Sequence, residues 1–413
     1  MNKQSQSIFN LAVIVAALGY FVDIYDLLLF GIIRVKSLTS LGLDGTQVRD
    51  SGEFIISIQM AGLLIGGIIW GVMGDKKGRL SVLFGSIILY SLANIANGFV
   101  QTVNQYALVR FIAGVGLAGE LGAGITLVSE SLPKDKRGIG TSLVAGIGLI
   151  GAVVAFFISQ EFDWRVCYFI GGGLGLLLLV LRVSVFESGL YKQVKEMKVS
   201  RGNFFMFFTN GARFKKYLLS ILIGLPTWYV IGILVSFSKE FAGPDNLNIQ
   251  GVVDPGRSIM YAYAAISAGD ILIGLVSQWL KSRKKALYIF YAITSLFMIL
   301  FFTQKNGSAA QMYLICAGLG FGTGFWAIFV TMGAEQFGTN LRATAATTIP
   351  NMVRGSLPLI ILLFKGLRGS FDYVTAGWVT GIIIMCVTIT ASLLSEETFH
   401  KDLNYVEVEE MMP

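Results

Sequence analysis

The sequence predicts an all-α polytopic membrane protein with twelve transmembrane helices in two pseudo-symmetric six-helix bundles. The first observation is composition: 54% of the 413 residues are hydrophobic and only 14% are charged, whereas about 25% of residues are charged in soluble domains. The second is that the apolar residues form runs of about 20 residues, the length that an α-helix needs to cross a bilayer. The third is an internal repeat whose offset is about half the chain.

The apolar runs give the order of the elements. Polar or charged segments bound each run, and the 49 glycines are typical of membrane helices that pack backbone to backbone. We predict spans at 9–34, 51–74, 80–101, 105–130, 139–160, 166–185, 217–241, 258–280, 286–303, 310–332, 342–365 and 372–394. An even number of spans places both termini on the same side.

The positions of Lys and Arg orient these spans. Basic residues cluster at 75–79, 133–137, 186–216 and 281–285, which all lie on one side of the membrane if the spans alternate. The positive-inside rule assigns that side to the cytoplasm. We therefore expect a protein of the cytoplasmic (inner) membrane with both termini in the cytoplasm.

The segment 187–216 divides the chain near its middle. It is the longest polar interruption, and its basic, amphipathic sequence favours helices that lie on the inner leaflet. We predict an N-terminal bundle at 1–186, a cytoplasmic linker at 187–216, a C-terminal bundle at 217–394 and a cytoplasmic tail at 395–413.

The repeat supports this division. "ESLPKDKRG" begins at Glu130 and "EQFGTNLRA" begins at Glu335, and each places an arginine seven residues later, at Arg137 and Arg342. Because both segments fall on the predicted cytoplasmic side, we expect Glu130–Arg137 and Glu335–Arg342 to form ion pairs there that open and close with a gate.

The loop "GVMGDKKGRL" joins spans 2 and 3. Asp75 lies at a helix C-terminus, where the helix dipole disfavours an acid, so it needs a partner such as Arg79. Gly71 permits close helix approach and Gly78 permits the turn. A short solvated loop is the alternative interpretation.

This loop resembles the signature between helices 2 and 3 of the major facilitator superfamily. The resemblance implies the twelve-helix fold of that family and a cytoplasmic gate formed by Gly71, Asp75, Gly78 and Arg79. The corresponding segment of the second half has Gln278 where the acid would be, so a symmetric second gate is not expected.

Two further stretches resemble the metabolite:proton symporter branch of that superfamily. They are "RFIAGVGLAGELGAG", which starts at Arg110, and "DIYDLLLFG", which starts at Asp23. The resemblance implies proton-coupled transport of a metabolite. It also implies that helices 1, 4, 7 and 10 line a central cavity.

Asp23 and Asp26 interrupt the first apolar run, where each carboxylate costs about 2.5–3.5 kcal/mol on insertion scales. Being three apart, they share one helix face, which we expect to face a water-filled cavity together with Arg110 and Glu120 of span 4. Asp23, Asp26 and Glu120 are thus candidates for proton coupling, and Arg110 is a candidate for substrate binding. The alternative is a static salt bridge that fixes helices 1 and 4.

Arg354 is the other charge deep in an apolar run. A guanidinium binds a carboxylate through two parallel hydrogen bonds, so Arg354, with Asn351 beside it, is a candidate for substrate binding. Pairing with Asp270 of span 8 is the alternative. Trp228, Tyr229 and Trp326 are candidate contacts from spans 7 and 10, with packing as the alternative.

Arg34 stands near the end of span 1. A long basic side chain at that position commonly extends its charge to the membrane surface. We therefore expect Arg34 to snorkel.

These features predict proton-coupled import of a small anionic metabolite, an organic carboxylate or polycarboxylate, by alternating access. A proton-driven exporter is one alternative, disfavoured because "GIGLIGAVVA" from Gly146 lacks the proline that the family's export branches carry in helix 5. A transporter-like sensor without flux is the other.

Other classes of protein are disfavoured by what the sequence lacks. No nucleotide-binding loop is present, the one histidine is His400 in the tail, and the three cysteines lie in apolar runs. We therefore expect no enzyme, no metal site and no cofactor. The net charge of +7 comes from short basic loops, so the expected partners are substrate, protons and the lipid bilayer, not nucleic acid, and the expected state is a monomer.

Overall fold

A computed structural model of the chain describes residues 11–77, 79–120, 124, 137–187, 204–399, 401 and 407. Each predicted span overlaps one helix. The helices that overlap these spans are α1 Leu11–Ser40, α2 Gly45–Lys77, α3 Arg79–Asn97, α4 Val103–Leu117, α5 Arg137–Glu161, α6 Trp164–Glu187, α7 Gly211–Val235, α8 Pro255–Leu280, α9 Arg283–Thr303, α10 Ala309–Glu335, α11 Thr339–Gly355 with Leu357–Leu367, and α12 Tyr373–Leu394.

Ten of the helices in the described part of the chain are long and apolar enough to cross a bilayer. The other two are α3 and α4, whose described apolar parts are shorter. The predicted fold class is confirmed. The linker boundary at 187–216 stays a prediction, since 188–203 lie outside the described residues.

The alternating helices give the molecule two ends, which we name by their connections. The tail face carries the starts of α7, α9 and α11 and the segment that follows α12. The opposite face carries the α1–α2 turn, the α7–α8 connection and the α11–α12 turn. α1 and α2 extend further towards the opposite face than predicted, because charged residues near their ends are paired inside the protein.

Matching glycines bring equivalent helices together in the two halves. A side chain at Gly62 of α2 would collide with the backbone of α4, and one at Gly114 of α4 would collide with the backbone of α2. The same holds for Gly269 of α8 and Gly320 of α10. Close backbone approach at small residues stabilises membrane helix pairs, and here it repeats in both halves.

The two halves also contact one another. α2 packs along α11, and α5 packs along α8. Gly67 of α2 leaves room for the side chain of Asn351, and the Ser267 hydroxyl of α8 donates to the Gly146 carbonyl of α5 at 3.3 Å.

Three helices of the second half are interrupted. α7 is interrupted at Gly224 and ends as a π-helix at Val230–Val235, and α11 is interrupted at Ser356. α10 breaks at Gly324 and Phe325, which separate Ala309–Thr323 from Trp326–Glu335. Interrupted helices in transporters are typical of binding sites near the bilayer midplane.

Candidate functional site

Ion pairs follow one another along α1, and we call this set the α1 charge column. From the tail face to the opposite face, its members are Glu120–Arg182 beside Gly19, Asp23–Arg354, Asp26–Arg110 and Arg34–Glu240. At about 1.5 Å per residue the column spans about 22 Å of α1. Two of its pairs lie within the first half, and two connect the halves.

Asp26 and Arg110 form the most completely bonded pair. Arg110 donates to the Asp26 carboxylate at 2.8 Å and to the Asp26 carbonyl at 3.0 Å. It also donates to Gln59 of α2 at 3.2 Å and to Asn94 of α3 at 3.3 Å. Four acceptors surround one buried guanidinium. This arrangement fits the alternative interpretation, a static salt bridge that fixes α1 to α4.

Glu120 is paired with Arg182 of α6. Both side chains are buried, and two hydrogen bonds connect them, one at 3.0 Å between Nη1 and Oε2 and another between Nη2 and Oε1. A side chain at Gly19 of α1 would overlap both groups. The pair therefore requires a glycine on α1 and ties α4 to α6.

Asp23 and Arg354 form the loosest pair of the column. Their nearest atoms, Oδ2 and Nη1, are 3.9 Å apart, and both side chains are buried. Neither carboxylate oxygen of Asp23 has a hydrogen-bond partner among the described residues, and neither do Nε and Nη1 of Arg354. Here a buried acid and a buried base from different halves have unused hydrogen-bonding capacity.

Asp270, the alternative partner for Arg354, is engaged elsewhere. Its Oδ1 accepts from the Ala327 backbone N–H at 2.8 Å. Arg354 instead has the Trp326 ring 5.8 Å from its guanidinium carbon, within the range of a cation–π contact. Asn351, one turn earlier on α11, donates to the Ala118 carbonyl at 2.8 Å, so it connects α11 to the end of α4.

The two aromatic candidates of α7 differ in their surroundings. Trp228 lines a small cavity between the halves, together with Leu27 of α1 and Gln59 of α2, and its indole nitrogen has no hydrogen-bond partner among the described residues. Tyr229 donates to the Gly377 carbonyl of α12 at 2.6 Å. Its hydroxyl is therefore used within the second half.

The expected water-filled cavity does not surround the three acids in this structure. The exposed fractions of Asp23, Asp26 and Glu120 are 0%, 0% and 1%. Each has a cationic neighbour within 4 Å, and of the three only Asp23 meets a cation of the other half. The structure thus corrects that expectation.

Two ion pairs connect the halves towards the opposite face. Arg34 binds Glu240 at 2.7 Å, and its guanidinium lies 4.3 Å from the centre of the Phe237 ring. Glu53 of α2 binds Arg368 at 2.7 Å. The prediction that Arg34 snorkels is wrong: its side chain is fully buried, since an acid from the other half meets it.

The predicted gate on the tail face is only partly visible. Gly71 lies next to Thr348 of α11, and Asp75 and Arg79 are helical, but their side chains and Gly78 lie outside the described residues. Glu130 and the side chain of Arg137 lie outside them as well.

In the second half, Glu335 binds Arg283 of α9 at 3.2 Å instead of the expected Arg342. Arg342 donates to the Phe337 carbonyl at 3.2 Å. Glu335 also accepts from the Thr398 hydroxyl at 2.6 Å. Glu335 therefore connects the end of α10 to α9 and to the segment after α12.

Several charged or polar residues of this region were not singled out from the sequence. They are Glu53, Gln59, Arg182, Glu240 and Arg368. A signal was present for Glu53, Arg182 and Glu240, since all three are charges inside predicted spans. None was present for Gln59, because an amide in an apolar run is compatible with many packing roles.

A sequence profile of the Major Facilitator Superfamily matches residues 9–362. The chain is 26% identical to the niacin transporter NiaP of Acinetobacter baylyi, with 95% of each chain covered. It is 24% identical to the gentisate transporter of Corynebacterium glutamicum, covering 81% of this chain and 76% of that one.

The chain is also similar to a benzoate transport protein and to a sugar symporter of known structure. It is 29% identical to a benzoate transport protein of Acinetobacter baylyi, in an alignment that covers 47% of this chain and 42% of that one. Among solved structures, the proton:xylose symporter XylE superimposes with a TM-score of 0.68 at 17% identity, covering 95% of this chain and 97% of that one.

Proposed function

Because the chain belongs to the Major Facilitator Superfamily of transporters, we propose that it imports a small organic carboxylate together with protons by alternating access. Membership makes it an integral membrane transporter and not an enzyme, as expected. The observation that carries the rest of the proposal is the loose, buried contact between Asp23 and Arg354.

Arg354 supplies the substrate contact in this proposal. Its Nε and Nη1 have no hydrogen-bond partner among the described residues, and a guanidinium with free donors binds a carboxylate in bidentate geometry. At 3.9 Å, Asp23 neutralises Arg354 without occupying those donors. A substrate carboxylate can therefore compete with Asp23 for the same cation.

Asp23 supplies the link to protons. When a substrate anion takes over Arg354, Asp23 loses its only described cationic neighbour within 4 Å and remains buried. An isolated buried carboxylate is strongly disfavoured, so Asp23 takes up a proton. Substrate binding and protonation then favour each other, and this coupling is reciprocal. Asp26 and Glu120 keep their partners and are structural in this scheme.

The relatives support an aromatic carboxylate as cargo. Niacin, benzoate and gentisate, the compounds for which three of them are named, are all carboxylates on a six-membered aromatic ring. The Trp326 ring beside Arg354 offers a flat apolar surface next to the carboxylate contact. Trp228 of α7 lines a small cavity together with Leu357, which follows Arg354 by three residues on α11.

The orientation of the protein follows from its basic segments. We propose that the tail face is cytoplasmic, in the inner membrane of a bacterial cell, and that the protein acts as a monomer. Import then requires the Arg34–Glu240 and Glu53–Arg368 pairs to separate when the opposite face opens. The gate expected around Asp75 would act on the tail face.

The proposal is tested with purified protein in proteoliposomes, using labelled benzoate and nicotinate. Wild type should accumulate one of them when the outside is acidic. R354A should bind it at least about tenfold more weakly, since hydrogen bonds to charged groups contribute about 1.5–3 kcal/mol. D23N should exchange substrate across the membrane but should not accumulate it in response to the proton gradient.

K365A is the matched control, since Lys365 is an exposed cation on the same helix, and it should behave as wild type. Uptake by wild type that ignores the proton gradient would contradict the coupling. Benzoate binding that is unchanged in R354A would contradict the role of Arg354. Tight binding without any flux would instead favour a sensor.

A further inference from the structure

We propose that Asp270 is a positioning residue: by capping the second segment of α10, it holds Trp326 beside Arg354 and so sets the affinity of the substrate site. This inference rests on the proposed function for its effect on affinity. The positioning itself concerns Trp326 and can be tested without a substrate.

The break in α10 creates a requirement inside the membrane. Gly324 and Phe325 leave the helix, and a new helix starts at Trp326. The first backbone N–H groups of a helix have no partner within it, and the bilayer interior offers no water to replace one. Phe325, which precedes the new helix, contributes no side-chain hydrogen bond to its start. The acceptor must come from elsewhere.

Asp270 of α8 provides that acceptor. Its Oδ1 accepts from the Ala327 N–H at 2.8 Å. A short aspartate side chain can reach because the two backbones touch: a Cβ on Gly324 would lie 2.8 Å from the Gly269 Cα. Asp270 is 5% exposed and has no cation within 4 Å in the described part of the chain, so this cap is its main described contact.

The cap lies directly next to the substrate candidates. Ala327 follows Trp326, so a bond to the Ala327 N–H fixes the turn that carries the tryptophan. The Trp326 ring in turn lies 5.8 Å from the Arg354 guanidinium carbon. Hydrogen bonding by Asp270 therefore acts on Arg354 through Trp326, without contact between Asp270 and the substrate.

Two substitutions separate the cap from the charge. D270N keeps an acceptor oxygen and removes the charge, whereas D270L removes both the charge and the acceptor at similar size. Each is made in the full chain, alone and with W326F, and the probe ligands are benzoate and nicotinate.

We expect D270N to bind the probe ligand within about threefold of wild type, and D270L to bind it at least tenfold more weakly. In the W326F background, D270L should cause little further loss, because the residue through which Asp270 acts is gone. Such non-additivity is the signature of two residues that act together. The emission of Trp326, obtained by subtracting the W326F spectrum, should shift in D270L and not in D270N.

Equal losses in D270N and D270L would overturn the proposal, since the charge and not the cap would then matter. Additive losses of D270L and W326F would overturn it as well. If D270L does not fold, D270N remains decisive: it must keep both the affinity and the Trp326 emission of wild type. If wild type binds neither ligand, the proposed substrate class fails, and the emission spectra still test the positioning.

Discussion

Glu120 and Arg182 form an ion pair in which both side chains are buried. Removing one partner of a buried ion pair leaves the other charge uncompensated, which costs about 3–5 kcal/mol. E120Q should therefore lower the free energy of unfolding by that order, measured by thermal unfolding in detergent. The double variant E120Q/R182Q should lose less than the two single variants together.

The control for this experiment is E161Q, because Glu161 is an exposed acid at the end of α5. That variant should unfold at the wild-type temperature. If E120Q is as stable as E161Q, the Glu120–Arg182 pair contributes nothing to the fold, and Glu120 would again be a candidate for proton coupling.

At the scale of single residues, the sequence reveals which charges are unusual but not which of them meet. Asp23, Asp26, Arg110 and Arg354 stand out because a charge in an apolar run needs a reason. Their pairing depends on the rotation and tilt of each helix, which packing decides. The choice of Asp23 over Asp270 as the neighbour of Arg354 could not be predicted for that reason.

Among the elements, the start of α9 depends on a residue far away in the chain. Glu397, beyond the end of α12, accepts from the Ser282 hydroxyl and from the backbone N–H groups of Arg283 and Lys284. Burial raises the pKa of Glu397, but these hydrogen bonds and one from Phe399 outweigh it, and the pKa lies below its ordinary value of 4.5.

E397A should therefore lower the unfolding temperature at pH 7, since loss of a helix cap costs about 0.5–2 kcal/mol. A carboxyl with a lowered pKa in the folded state stabilises above its unfolded value and loses that contribution as the pH falls through the folded value. The difference between E397A and wild type should shrink below about pH 4.5.

Thermal unfolding at several pH values measures this difference. E396A is the control, because Glu396 is the neighbouring acid and its own side chain is exposed, so that its ion pairs contribute little. A difference between E397A and wild type that stays constant down to pH 3 would show that the carboxylate charge does not act at this helix start.

The positions of the helices could be predicted from the sequence, but the positions of their interruptions could be predicted only in part. Apolar length is a strong signal, and all twelve predicted spans overlap helices. The sequence of α11 contains Pro350 and, two residues after the interruption at Ser356, Pro358, and a proline cannot donate within a helix. The break in α10 has no proline: it depends on contact between Gly269 and Gly324, which the sequence of α10 alone does not contain.

For the whole molecule, the two ion pairs towards the opposite face should control how often that face opens. Each of Arg34–Glu240 and Glu53–Arg368 connects the halves and would be broken by opening. A loss of 1.4 kcal/mol changes the ratio of two states about tenfold, so E53Q/E240Q should favour the open arrangement strongly.

Spin labels on cysteines at the exposed positions Thr46 and Ser370, with Cys386 replaced, would report the separation of the halves. E53Q/E240Q should shift the distance distribution to longer values. D50N is the control, because Asp50 is exposed and pairs with Arg49 on the same helix. Identical distributions for both variants would show that other contacts close this face.

The α1 charge column also has a consequence for biogenesis. α1 leaves the ribosome first, yet Arg110 follows Asp26 by 84 residues, Glu240 follows Arg34 by 206 residues, and Arg354 comes near the end of synthesis. When it first enters the membrane, the nascent segment therefore holds Asp23, Asp26 and Arg34 without these partners, and its apolar residues must keep it in the lipid unaided. Cellular insertion factors that shelter polar membrane segments should matter more for this protein than for one whose first helix is purely apolar.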